Sequence, residues 1–458
     1  MRIGILPLAR PTFDVEFAQE NFDNMLEALD HSGVDIVGPR ELLFDGPAAK
    51  AAIEDLKTAG IDQLLIMQVT FTDAGIAVEA AKALACPIAI WAIPEPRLGG
   101  RLRLNSFCGL NLASHAMGLN KRAFSWLYAA PNPDVTQQLQ ELFAGKRNAG
   151  QIEVSAVAGG DKRARSIVER INGKRVARIG AHPDGFDTCA YDPKKLSDLA
   201  GVEVDALELE TLFDAGRSAN AQDVAALKST LNAQELDAVD PTELDRSLRL
   251  KLGLDHLRQS GQYDAFAIRC WPETFTEYGG AVCGPVSMMG EARVPCACEA
   301  DVYGALTQMI LQEASGQPVF LTDLVDMDVA DNTGVVWHCG QAPLSMLKDG
   351  DIPLATIHTN RKMPLLYEFP LKPGRVTLMC ISQANGEQKM ILSSGEMLAR
   401  EKSFTGTSGV IRFDRPCGQV LDDIMASRLE HHMALAYGDH KHILRSIAGE
   451  LGLPVLEI

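Results

Sequence analysis

Short unbroken apolar runs punctuate the first third of this chain: Ile3 to Leu8, Val34 to Val37, Leu64 to Val69, Pro87 to Trp91 and Ala123 to Tyr128, each of strand length. Between the first two, Phe22, Met25, Leu26 and Leu29 recur at spacings of three and four, which places them on one face of a helix. Strand and helix in alternation predict a parallel sheet covered on both faces, the doubly wound arrangement. Asn172-Gly-Lys is a turn signal that closes this first unit at 1–172. The pattern then restarts with a strand over Arg175 to Ile179, a helix over Leu244 to Leu257 behind the capping sequence Asp240-Pro-Thr, and a buried strand over Ala265 to Cys270. A second doubly wound unit is therefore expected over 173–330. From about Asp331 the rhythm changes to short runs between Gly, Pro and Asn turns: Val376 to Ile381, Met390 to Leu392, Gly409 to Phe413 and His432 to Tyr437, before a helix over His442 to Leu451. The expected fold class is α/β, with two Rossmann-like domains followed by a β-barrel-like domain over 331–458.

Composition narrows the function classes. With 458 residues, 46% of them hydrophobic and 22% charged, the chain can bury large cores and has the balance of a globular enzyme rather than a disordered or fibrous protein. A net charge of −17 without any run of Lys or Arg excludes a nucleic-acid footprint, and an anionic ligand would need a local basic pocket. The ten cysteines are scattered, several inside apolar runs (Cys86, Cys270, Cys380), and read as reduced core thiols. Cys296-Ala-Cys298 has neither zinc-site nor redox spacing. The chain begins directly with a strand, without a basic stretch and long apolar core before it, so a cytoplasmic protein with no membrane partner is expected. Gly180-Ala-His-Pro-Asp-Gly-Phe lacks both the Lys-Ser/Thr of a phosphate loop and the full dinucleotide fingerprint, so nucleotide binding is not expected.

The candidate chemistry lies between Pro295 and Cys339. Glu299 opens a segment whose apolar residues Val302, Leu306, Met309 and Ile310 mark one buried helical face, which puts a carboxylate at a helix start. Asp323 ends the run Val319-Phe-Leu and His338 ends Val335-Val-Trp, both as residues at strand ends would. Two carboxylates in apolar settings need a cation, a proton or good hydrogen bonds, and a divalent metal meets that need. An oxygen-rich set with one or two imidazoles favours manganese, or magnesium or cobalt, over zinc. His338 and His432 adjoin apolar runs, where a neutral imidazole needs a partner, whereas His31, His115, His256, His440 and His442 lie in polar helix-like stretches and are expected at the surface.

Four motifs in this order, Cys270-Trp-Pro-Glu, Cys283-Gly-Pro-Val-Ser-Met-Met, Pro295-Cys-Ala-Cys-Glu-Ala-Asp and Val335-Val-Trp-His-Cys, resemble the second half of the L-fucose isomerase and L-arabinose isomerase family. The similarity returns at Glu430-His-His-Met-Ala-Leu-Ala-Tyr-Gly-Asp. The resemblance implies a manganese site with Glu299, Asp323 and His432 as ligands, His431 being the alternative to His432. It implies an additional ligand or supporting position for His338. It also implies aldose-ketose isomerisation of an open-chain sugar through an ene-diol, with Glu299 and Asp323 as the catalytic proton carriers. L-fucose, D-arabinose, L-arabinose and modified hexoses, sulfonated ones included, are the substrates it points to. A lyase or aldolase working through the same ene-diolate would use a similar acid–base set, and a sugar-binding protein would need neither the metal triad nor the third domain.

Expected substrate contacts are Arg10 and Trp271, with His338, and the loop Pro94 to Cys108, which carries Arg97, Arg101 and Arg103 and paired glycines. That loop reads either as a substrate-contacting segment or as a solvated connection. Glu273 reads either as a supporting acid or as a solvent-facing one. The resemblance implies a homo-oligomer, a trimer or hexamer, in which a first-domain loop covers a neighbour's site, and the length and charge of this loop suit that role.

Overall fold

The computed structural model describes residues 1–458, and its strands gather in three sheets. The first contains β1 (Arg2–Leu8), β2 (Asp35–Val37), β3 (Gln63–Gln68), β4 (Ile88–Ala92) and β5 (Ser125–Tyr128), all parallel, in the order β2-β1-β3-β4-β5. Apolar side chains on both faces explain the unbroken runs in the sequence. The helix Val15–His31, capped by the Asp14 carboxylate on the Phe17 N–H, buries Phe22, Met25 and Leu29 on one face. Helices Gly46–Ala59, Gly75–Ala83 and Ser106–Leu119 cover the other with Ile53, Leu56, Ala77, Phe107 and Leu110. In this order the winding reverses between β1 and β3, which opens a crevice at their carboxyl ends. Arg10 and Phe71 follow those two ends.

The second sheet repeats the winding with one strand fewer: β6 (Arg175–Ile179), β7 (Glu203–Leu207), β8 (Ala265–Ile268) and β9 (Cys296–Ala297), parallel, in the order β7-β6-β8-β9. Trp271 follows the carboxyl end of β8 and Glu299 that of β9. The helix Val302–Ser315 comes next and is buried on all sides from Val302 to Gln312, rather than along the single face expected from its apolar spacing. The reason is its place: it lies against β8 of the second sheet and β14 and β17 of the third, so both sides face protein.

The third sheet holds β10 (Phe320–Asp328), β11 (Thr333–His338), β12 (Leu354–Thr356), β13 (Leu366–Pro370), β14 (Gly374–Ser382), β15 (Lys389–Met397), β16 (Thr407–Phe413), β17 (His432–Tyr437) and β18 (Val455–Glu457). Pairing of β15 with β16 joins β16-β11-β10-β17-β14-β15 into a ring of six antiparallel strands. Two expectations change here. Asp323 is not at a strand end but in the middle of β10, because Leu324 and Val325 continue the apolar run beyond it. The expected boundary at 330 cuts the β10–β11 hairpin, so by sheet membership the third unit starts before Phe320. All ten cysteines are free, and no helix is long and apolar enough to cross a membrane.

Candidate active site

Antiparallel pairing of β10 with β17 sets Asp323 directly opposite His432. Opposed residues share a face of the sheet, so the carboxylate and imidazole point the same way, with Asp323 Oδ1 3.4 Å from His432 Nε2. Glu299 arrives from the second domain on the turn Cys298–Ala300, where Glu299 (φ 58°) and Ala300 (φ 56°) both take left-handed backbone. That conformation costs roughly 1–2 kcal/mol for each L-residue. Asp301, the next residue, holds the turn in place. It caps the helix Val302–Ser315, one carboxylate oxygen accepting from the Gly304 N–H at 2.8 Å and the other from His432 Nδ1 at 2.9 Å. A Cβ on Gly304 would lie 2.4 Å from that second oxygen, so glycine keeps the space open.

The Asp301 contact fixes the tautomer of His432. Its Nδ1–H donates to the carboxylate, so Nε2 carries the lone pair, and Nε2 faces Asp323 and, at 3.9 Å, Glu299 Oε2. Glu299 also accepts from His431 Nε2 at 3.0 Å and from the Trp271 indole N–H at 3.1 Å. Burial pushes its carboxyl up, but the hydrogen bond and charge of His431 outweigh burial and hold it below the ordinary carboxylate range.

These residues fit a metal ion. Asp323 Oδ1, His432 Nε2, His338 Nε2 and His431 Nδ1 are buried without hydrogen-bond partners. A buried carboxylate oxygen left without any partner is costly unless a cation or proton completes it. Donors bound about 2.1 Å from one cation lie roughly 3 to 4.2 Å apart, and the separations of 3.4 and 3.9 Å fall in that range. Three overlapping groups of ligand atoms meet here, Cys189–Asp301–His432, Glu299–His431–His432 and Asp323–His338–His432, and His432 is common to all three. Of the two adjacent histidines, His432 is thus the one whose free nitrogen faces both carboxylates. His338 differs: its Nδ1 accepts the Cys339 N–H at 2.9 Å, so its Nε2 carries the hydrogen and presents a donor to the pocket.

The pocket over this centre is lined by Glu299, Asp323, Arg10, Trp271 and His338, five of the residues singled out from the sequence. His432 lies beneath it. All three sheets and the loops that follow their strands contribute to the lining. Phe13, Phe71, Phe186 and Trp271 form a continuous row of rings, with centroids 6.0, 5.8 and 5.4 Å apart, running from the first domain into the second. Arg10 lies over Phe71 and Trp271 and pairs with Asp73 at 2.5 Å.

Arg97, Arg101 and Arg103 do not line the pocket. Arg97 binds Asp326 at 2.6 Å and Thr333 Oγ1 at 2.8 Å, and Arg103 binds Asp14 at 2.8 Å. Arg101 bridges Asn360 Oδ1 (2.9 Å) and the Thr12 carbonyl (2.6 Å). The Gly99 N–H donates to the Ser403 carbonyl. The loop is thereby fastened to the third domain of its own chain. Its charges are taken up by local partners that are distant in sequence. Glu273 pairs with Arg269 at 2.7 Å, away from the pocket.

Sequence reasoning missed Asp301, although an Asp directly before an apolar helical run is an N-cap signal. It missed His358 and Arg361, which line the pocket from an irregular loop with no local signature. His115, expected at the surface, is fully buried in the helix Ser106–Leu119 and contacts the Arg428 carbonyl at 3.0 Å. That helix is covered on every side by the sheet below and the third domain above, so polar spacing misled.

Fold and site together define an α/β protein with a buried carboxylate–imidazole centre suited to a metal ion. Residues 4–152 match the family described as fucose/sulfoquinovose isomerase, N-terminal domain. The chain is 29% identical to sulfoquinovose isomerase from Alkalicoccus urumqiensis over 465 residues, covering 99% of this chain and 98% of the relative. It is also 29% identical to the sulfoquinovose isomerases of Priestia aryabhattai (95% and 94% covered) and Clostridium sp. (strain MSTE9) (99% and 98% covered). The resemblance to fucose-isomerase-like sugar isomerases, read from the motifs between Cys270 and Cys339, is borne out along the whole chain.

Proposed function

We propose that this chain is a metal-dependent aldose-ketose isomerase that acts on an open-chain sulfonated hexose, sulfoquinovose, through an ene-diol. The observation that carries the reading is the convergence of Glu299, Asp323 and the lone-pair nitrogen of His432 at the floor of a pocket walled by Trp271, His338 and arginine. A divalent cation held by these three residues, manganese first and magnesium or cobalt next, would supply stabilisation of negative charge on adjacent sugar oxygens.

The protein's own groups do the rest. Glu299 is clamped by His431 and Trp271, which fixes its direction and keeps it ionised. Asp323 makes no side-chain hydrogen bond and has a free oxygen facing the pocket, so it is the freer carboxylate to take a proton from C2 and return it to C1. His338 Nε2–H donates to a sugar oxygen, and the Trp271 face supports the carbon chain. Phe13 and Phe71 give the pocket an apolar wall on the side of the first sheet. The resemblance extends the reading to a homo-oligomer, trimer or hexamer, to which the fastened Pro94–Cys108 loop adds no argument. Ten unpaired cysteines suit a reducing compartment, the cytoplasm.

The test follows the sugar in heavy water with protein stripped of metal, verified by elemental analysis, and then restored with manganese. Restored protein should interconvert aldose and ketose, keep every carbon and place solvent deuterium at the exchanged position. Full activity without metal, or shorter fragments from a lyase, would sink the reading.

A further inference from the structure

Two arginines line the pocket, and they differ in what they are given to bind. Arg10 has Asp73. Arg361, half-buried between β12 and β13, has no carboxylate within ion-pair distance, and its guanidinium donates no hydrogen bond to the protein. Burial first, and then the charge of Arg10, work against its protonation, so the structure gains nothing internal from this cation.

Yet the loop that carries it is carefully held. His358 Nδ1 accepts the backbone N–H groups of Asn360 and Arg361 at 3.2 and 3.3 Å. The His358 ring stands edge-on to Phe275, 5.4 Å between centroids. Asn360 is bound by Arg101, which ties the loop to Thr12 of the first domain. The result is a guanidinium 5.4 Å from the Trp271 ring centroid, with Arg10 5.8 Å from the same ring. Arg10, Asp73 and Arg361 sum to a single positive charge inside a chain whose net charge is −17. That local charge matches a monoanion.

Trp271 also measures the span. Its indole N–H touches Glu299 at one edge, and Arg361 lies over the ring. Carboxylate and guanidinium are thus on the order of 10 Å apart or less, about the reach of an extended six-carbon chain with an acid group at its end. A guanidinium can offer two parallel N–H donors to two oxygens of such a group.

Resting on the isomerase reading above, we propose that Arg361, supported by Arg10, binds the sulfonate on C6 of the substrate and sets the preference of this site for a sulfonated over a neutral hexose. Arg101 acts on this subsite only by positioning its loop.

The experiment compares manganese-loaded wild type with Arg361→Gln and Arg361→Lys on sulfoquinovose and on 6-deoxyglucose, the same sugar without the sulfonate. Binding of sulfoquinovose is measured in parallel by calorimetry. Loss of one partner of a desolvated charge pair predicts a fall of about 30-fold or more in kcat/KM for the sulfonated sugar with Arg361→Gln, mostly through KM. Arg361→Gln should cost far less on 6-deoxyglucose than on sulfoquinovose, an unchanged thermal midpoint reports intact folding, and Arg361→Lys should recover part of the loss. Equal loss on both sugars, or unchanged constants on the sulfonated one, would overturn the assignment. If wild type isomerises neither sugar, the reading of the reaction fails. The calorimetric arm then still decides the subsite, since sulfoquinovose should bind wild type and not Arg361→Gln.

Discussion

Asp323 and Asp326 lie three residues apart on one strand, both buried, and have opposite fates. The register shift between Leu324 and Asp326 inserts Val325 as an extra residue, which returns Asp326 to the face that Asp323 occupies. Asp326 is fully supplied from the first domain: Arg97 Nε at 2.6 Å, the Tyr128 hydroxyl at 2.5 Å and the Glu95 N–H at 3.2 Å. The Asp323 carboxylate accepts no hydrogen bond, and its Oδ1 faces the lone-pair nitrogen of His432 at 3.4 Å. A satisfied buried carboxylate holds domains together. An unsatisfied one facing other ligands is waiting for something the protein does not itself provide.

Replacing each by Asn breaks the comparison in opposite directions. The largest effect expected is on turnover: Asp323→Asn should cost about a thousand-fold or more in kcat. Its thermal midpoint, measured without added metal, should stay level or rise, because an unpaired buried charge is gone. A destabilised but active Asp323→Asn protein would contradict its assignment as a functional group. Asp326→Asn should do the reverse. Leaving Arg97 without its partner costs about 3 kcal/mol, read as a lower denaturation midpoint, while kcat of the folded fraction changes little.

The smallest effect is a pH slope beside Asp326. Burial raises the Glu95 carboxyl to about 7, although three backbone N–H groups oppose the shift, and the charge of Asp326 adds to it. Between its ordinary 4.5 and about 7 the folded chain holds a proton that the unfolded chain has lost. The stabilisation from this group is therefore complete below 4.5 and disappears as pH rises through 7, at about 1.4 kcal/mol per pH unit. Denaturation curves across that window should show the slope in wild type and a flatter one in Glu95→Gln. Equal slopes would mean that Glu95 is already ionised at the low end.

The local rhythm of the sequence was enough to place most strands and helices, because a side chain that must be buried on a strand or helix repeats with that element's period. Motif resemblance then marked Glu299, Asp323 and His432, which the fold brings within 4 Å of one another through His432. Only the tertiary structure tells the His431 and His432 rings apart, since Asp301 holds Nδ1 of His432 and leaves its Nε2 facing Asp323 and Glu299. The same holds for the arginines. Arg97 and Arg361 both sit in polar loops and look alike in sequence, but one meets Asp326 and the other meets an open pocket. What a buried charge faces is set by strand order and by contacts between residues hundreds of positions apart, and no local pattern encodes those.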